Sequence, residues 1–199
     1  MKTIKNLCIW LLSLTWGLPM TLVGAAAALF LRWKAYIPTR FGPCWVFTVG
    51  EGWGGVNLGP VVLVSKTAKN YTIYHEIGHC LQNCVWGPLF PFVIAIPSVV
   101  RYWLREQKTF KNKVKFATTI NFILLPIATL LLLMSLEIIV VPAWLLIMLG
   151  LITLYLDIIM VWLDRELRKY ITPPYPSYDD IWFEGQATKW GINIMEGEE

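Results

Sequence analysis

Tyr74-His75-Glu76-Ile77-Gly78-His79 holds both histidines of the chain, four residues apart, with a glutamate directly after the first. On a helix, positions four apart stand one turn above each other on the same face, so both imidazoles can reach a single metal ion. Glu76 then sits beside that ion. Zinc lowers the pKa of a bound water towards neutrality, and a neighbouring carboxylate can take the proton and return it to a leaving amine. The combination is peptide-bond hydrolysis chemistry, with His75 and His79 as ligands and Glu76 as general base.

Two histidines and a water leave zinc one protein ligand short. A third histidine is impossible here, and the position six residues past His79 is Val85, so the missing ligand is a carboxylate or a cysteine. Glu184 is the best candidate. It lies in Asp179-Asp180-Ile181-Trp182-Phe183-Glu184, where Ser177 and Asp180 can cap a helix start and Gly191 can end it, which predicts a mid-helix Glu184. Asp157 is the alternative, because a lone carboxylate inside an apolar helix is expensive and usually functional. Cys80 and Cys84 share the histidine helix but, at 100° per residue, point away from the His75 and His79 face. Like Cys8 and Cys44 they read as structural free thiols, which suit a reducing compartment.

The elements that must carry these residues are mostly apolar. At 56% hydrophobic residues and a mean hydropathy of +0.55, the composition is that of an integral membrane protein. Leu7 to Leu31 is uncharged throughout and reads as a spanning helix, with Gly17, Pro19 and Gly24 as possible kink points; a cleaved signal peptide is the rival reading. Phe116 to Leu163 carries only Glu137 and Asp157, enough for two spans joined by a turn near Ser135-Leu136-Glu137. Gly87 to Val100, with three prolines, falls short of a span and is expected at the interface or as a buried loop.

Basic residues set the orientation. Arg101, Arg105, Lys108, Lys111, Lys113 and Lys115 precede the hairpin and Arg165, Arg168 and Lys169 follow it, which places both flanks in the cytoplasm under the positive-inside rule. These flanks account for the net charge of +4, and no basic and aromatic groove suggests nucleic acid binding. Two spans between the histidines and Glu184 return the glutamate to the same side. Trp45-Val49 and Val61-Ser65 are β-rich runs around a glycine-dense stretch, either a hairpin or two sheet strands. The second is the candidate to hold an extended substrate by backbone pairing, the alternative being a small sheet that only packs the active-site helix.

The predicted layout is an α+β membrane protein: about three transmembrane helices plus a small catalytic portion with a short β-sheet and an active-site helix. Residues 1–34 form the N-terminal span, 35–115 the catalytic segment, 116–163 the hairpin and 164–199 the segment with the third ligand.

HEIGHCLQN, followed by Trp86-Gly87-Pro88-Leu89 and later by Trp182-Phe183-Glu184 with Ala187 and Gly191, resembles gluzincin-type metallopeptidases. It is most similar to small bacterial membrane proteins with HEYGH, LQS and LGPLY elements and a late E-x-x-A segment. The order of HExxH, membrane hairpin and late acidic helix also resembles the HtpX-type membrane proteases. Intramembrane metalloproteases, which use an aspartate such as Asp157, are a poorer likeness because their LDG-type motif is missing. The resemblance implies that His75, His79 and Glu184 bind zinc, that Glu76 is the base, that the substrate is a peptide or protein, and that the chain sits in the inner or plasma membrane of a bacterium. Arg32, Lys34 and Arg40 after the first span slightly outnumber Lys2 and Lys5 before it, which favours a site facing the cytoplasm. Gly78 and Tyr178 are further candidates beside the metal or the substrate. One departure matters: the aspartate or asparagine that such families place four residues after the glutamate is Thr188 here. Its hydroxyl can accept a hydrogen bond but brings no charge, which keeps open an inactive membrane scaffold with a metalloprotease-like fold. Oligomeric state is not legible.

Overall fold

The computed structural model describes residues 2–135 and 142–196 and divides them into two compact units, one made of residues 1–96 and 177–199, the other of 97–176. The chain is largely helical with one small mixed sheet.

In the first unit, α1 (Lys2–Leu14) and α2 (Leu18–Trp33) replace the single helix expected over Leu7 to Leu31. They meet at 96° across Thr15 to Gly17. Hydropathy is blind to this break because polar contacts hold it: Asn83 Nδ2 donates to the Gly17 carbonyl and the Thr21 hydroxyl to the Ser13 carbonyl, at 3.3 and 2.7 Å. These bonds satisfy carbonyls that a bent helix frees.

Four strands follow: β1 (Thr39–Phe41), β2 (Cys44–Thr48), β3 (Gly55–Leu58) and β4 (Val61–Val64), in sheet order β1-β2-β4-β3. The two β-rich runs of the sequence are β2 and β4, and they pair in parallel, so they are not a hairpin. The hairpin is β3-β4, turning at Gly59-Pro60. Val46, Val62 and Val64 pack with Cys44, Ile73, Ile77, Cys80 and Cys84 into the core between sheet and helix. The thiols there are free and buried, whereas Cys8 is exposed.

Next comes α3 (Asn70–Trp86), which carries HEIGH, then a 3-10 turn (Gly87–Leu89) and a π-helical turn (Pro91–Ala95) in the proline-rich stretch. A second 3-10 turn (Tyr178–Asp180) and α7 (Trp182–Glu196) complete this unit. Helices α3 and α7 cross with almost no space between them. A Cβ added at Gly78 would collide with the Ala187 carbonyl, and one at Gly191 with the Tyr74 carbonyl. Gly78 and Gly191 therefore serve the helix crossing, and Gly191 lies inside α7 rather than ending it.

The second unit holds α5 (Phe110–Ser135) and α6 (Ala143–Arg168), with most of α4 (Ile96–Glu106). The turn expected near Ser135-Leu136-Glu137 falls largely on residues 136–141, outside those described. Among the described residues, α6 is the one helix long and apolar enough by itself to cross a membrane. Residues 4–14 with 18–33, and 70–89 with 91–106, meet that test only if each bent pair counts as one span. Val100, Leu104, Ala117, Leu163 and Tyr170 form the core of this unit. Two charges of its basic flank are buried: Arg101 pairs with Glu166, and Lys113 donates to the Leu104 and Arg105 carbonyls.

Candidate metal centre

The helical spacing of His75 and His79 brings their Nε2 atoms to 3.1 Å, and Glu184 Oε2 lies 3.1 Å from the first and 3.3 Å from the second. All three residues are buried, Glu184 completely. Among the described residues, their ligand atoms lie within 4.8 Å of one another, a group able to hold a metal ion. Glu184 reaches them from the first turn of α7, not from mid-helix, because Ser177 and Asp180 cap the preceding 3-10 turn instead of α7 itself. Asp157 is exposed on α6 and is not part of this group.

Glu184 offers a carboxylate oxygen, and what makes the two Nε2 atoms lone-pair donors is the hydrogen bonding behind the rings. His79 Nδ1 faces Gln82 Oε1 at 2.7 Å, and the Gln82 amide donates to the Phe183 carbonyl and to Gln186 Oε1 at 2.7 and 3.0 Å. With its NH2 group so engaged, Gln82 presents its oxygen to the ring, so Nδ1 carries the hydrogen and Nε2 is left unprotonated in the neutral imidazole. His75 Nδ1 faces the Thr188 hydroxyl at 2.8 Å. Two ligands about 2.0–2.1 Å from a tetrahedral metal stand about 3.3 Å apart, close to the three separations found here. The site fits a metal in both spacing and donor chemistry.

Glu76 is buried next to His75 on α3. Its side chain lies so close to Gly55 that a Cβ there would meet Glu76 Cγ and Oε1. Asn57 Nδ2 donates to the Glu76 backbone carbonyl at 3.0 Å and locks β3 onto α3. Burial pushes the Glu76 carboxyl above its ordinary value, against the opposing pull of His79 and His75. Burial alone would lower His79, but the Glu184 and Glu76 carboxylates, helped by Gln82, outweigh it and raise that imidazole.

The strand beside Glu76 is therefore β3, not the Val61 to Ser65 run expected from the sequence. β4 lies inside the sheet with a partner on each side, while β3 is an edge strand. The Ser65 amide donates to the Gly54 carbonyl, and antiparallel alternation then turns the backbone groups of Gly55 and Asn57 towards the outer edge. The Tyr178 ring stands edge-on to His75, centroids 5.4 Å apart.

No family model, curated protein or solved structure matches this chain. The functional reading rests on the site itself.

Several residues around the site carry no motif signal. Asn57 and Asp179 read as turn and cap residues. Tyr71 and Gln82 had a usable signal, since each is within one helical turn of a ligand histidine on the same helix.

Proposed function

We propose that the chain is a membrane-embedded zinc metallopeptidase whose general base is Glu76. The observation that carries this reading is the convergence of His75 Nε2, His79 Nε2 and Glu184 Oε2 to 3.1–3.3 Å, beside a buried carboxylate on the same helix. A His2Glu set with room for water is the donor set of catalytic zinc. Bound zinc would supply a Lewis acid that polarises a carbonyl and acidifies a water. The chain's own residues do the rest. Glu76 takes the proton from the attacking water and passes it to the leaving nitrogen, while its burial holds it nearer neutrality than a solvated carboxylate. An extended peptide adds to the sheet along β3, with its backbone held at Gly55 and Asn57 next to Glu76.

Membrane embedding is supported by α6. At 1.5 Å per residue it is about 39 Å long, against a hydrocarbon core of about 30 Å. Ile147, Leu151, Leu154, Ile158 and Val161 are exposed along it, Trp144 stands at one end, and Arg165 and Arg168 at the other. The remaining exposed basic residues on the flanks, Arg165, Arg168 and Lys169 among them, support a cytoplasmic site under the positive-inside rule, and the bacterial membrane is what the family resemblance implies.

The test is metal content in detergent-purified protein. About one zinc per chain is expected in the wild type, lost in His75→Ala and Glu184→Ala and kept in Asp157→Ala. Glu76→Gln keeps the metal and loses hydrolysis of an unfolded protein substrate by about 10²–10⁴-fold. A folded wild type that binds no metal overturns the reading, and undiminished turnover by Glu76→Gln overturns the role of the base.

A further inference from the structure

Thr188 stands where the resemblance leads one to expect an aspartate or asparagine, and its hydroxyl does not end the hydrogen-bond chain behind His75. It donates to Asp179 Oδ1 at 2.9 Å, nine residues upstream. Asp179 Oδ2 in turn accepts from the Tyr71 hydroxyl at 2.8 Å, and Tyr71 Oη also lies 3.3 Å from Thr188 Oγ1. Asp179 and Tyr71 thus approach the same hydroxyl from two elements, the capped 3-10 turn before α7 and the first turn of α3.

The direction of each bond follows from what the groups can do. An ionised carboxylate only accepts, so the single Thr188 proton goes to Asp179. The oxygen that faces His75 is then an acceptor, and the hydrogen on His75 must sit on Nδ1. That leaves the Nε2 lone pair aimed at His79 Nε2 and Glu184 Oε2. Turned the other way, with Thr188 donating to Nδ1, the neutral ring would carry its hydrogen on Nε2, where a metal must bind. A hydroxyl alone permits both directions, and the carboxylate selects one.

We propose that Asp179, acting through the Thr188 hydroxyl and held by Tyr71, is the positioning residue that fixes the His75 tautomer and supplies the negative charge behind this metal ligand. The proposal rests on the metal-centre reading above. It removes the main ground for an inactive scaffold, because the charge missing at 188 is present at 179, one hydroxyl further from the ring.

The experiment is zinc affinity, measured by chelator competition on the full chain in detergent, with apo thermal stability recorded beside it. Thr188→Val and Asp179→Asn are each expected to weaken zinc binding about 10 to 100-fold. Because the two residues act in series, the Val/Asn double variant weakens no further than the worse single one. Thr188→Asp combined with Asp179→Ala moves the carboxylate next to the ring and recovers affinity to within a few-fold of wild type, a rescue that a purely structural Asp179 would not give. Tyr71→Phe, which leaves the relay intact, loses only a few-fold and serves if Asp179→Asn fails to fold. Wild-type affinity in Asp179→Asn, or losses that multiply in the double variant, overturns the relay while leaving the metal centre standing. Absence of binding in the folded wild type overturns both.

Discussion

Glu76 and His79 occupy one buried space, and each holds a proton more tightly there than in water. For His79 the stabilising contribution is fully present below its unfolded value of about 6.5 and is lost as pH climbs through the raised folded value. Glu76, also raised, acts with the same sign. Metal-free protein is therefore expected to lose thermal stability as pH rises, first above about 4.5 through Glu76 and further above about 6.5 through His79, with a shallower slope over the upper part in His79→Asn. Metal-loaded protein runs the opposite way over that range, because proton loss frees the ligands. Melting curves with and without chelator decide it, and a metal-free melting temperature that rises with pH would contradict the buried pairing. At this scale the cluster was legible: the spacing of His75 and His79, and the preference for Glu184 over Asp157, lead to the three residues that lie together. Asp179 was not, since its importance depends on a hydroxyl nine residues away and on a tyrosine in another element. Gly78 was legible as special but for the wrong reason, because only the crossing helix shows what its missing side chain avoids.

Elements were read less well than residues. Runs of β-branched and aromatic residues identify β2 and β4 as strands, yet the pattern cannot say which strand is central, and β4, the strand expected to take a substrate, has a partner on each side. The edge position of β3 makes a direct demand on substrate: peptides N-methylated at the amides that would pair with Gly55 and Asn57 should lose kcat/KM by tenfold or more, each lost hydrogen bond being worth about 1 kcal/mol. Equal turnover of methylated and plain peptides would exclude pairing on β3. Arg101 was likewise counted as a topology-setting surface charge, whereas it is fully buried against Glu166, which also pairs with Lys169. Truncating Arg101 leaves the buried Glu166 with Lys169 as its remaining partner, so Arg101→Ala should destabilise the hairpin unit by about 1–3 kcal/mol, read as a lower melting temperature. Gly17 and Pro19 mark a kink in the α1–α2 run, but not a full break, because the polar tie of Asn83 to Gly17 joins residues far apart in sequence.

For the whole molecule, the apolar composition and α6, the one helix among the described residues long and apolar enough by itself to cross a membrane, are the two observations behind the membrane reading. The protein should stay in the membrane pellet through alkaline carbonate extraction, and its appearance in the supernatant would sink that reading. What composition does not reveal is that the unit bearing the site is interrupted: residues 1–96 and 177–199 belong together, and residues 97–176 are inserted between them. This has a consequence for the ribosome. Both histidines and Glu76 leave the exit tunnel about a hundred residues before Glu184, which at 5–20 residues per second is a wait of roughly 5–20 s. Throughout that interval the nascent chain displays two of the three clustered residues but cannot close the group around an ion. On the proposed reading a newly made chain is therefore inert until Glu184 has followed the inserted helices out of the tunnel.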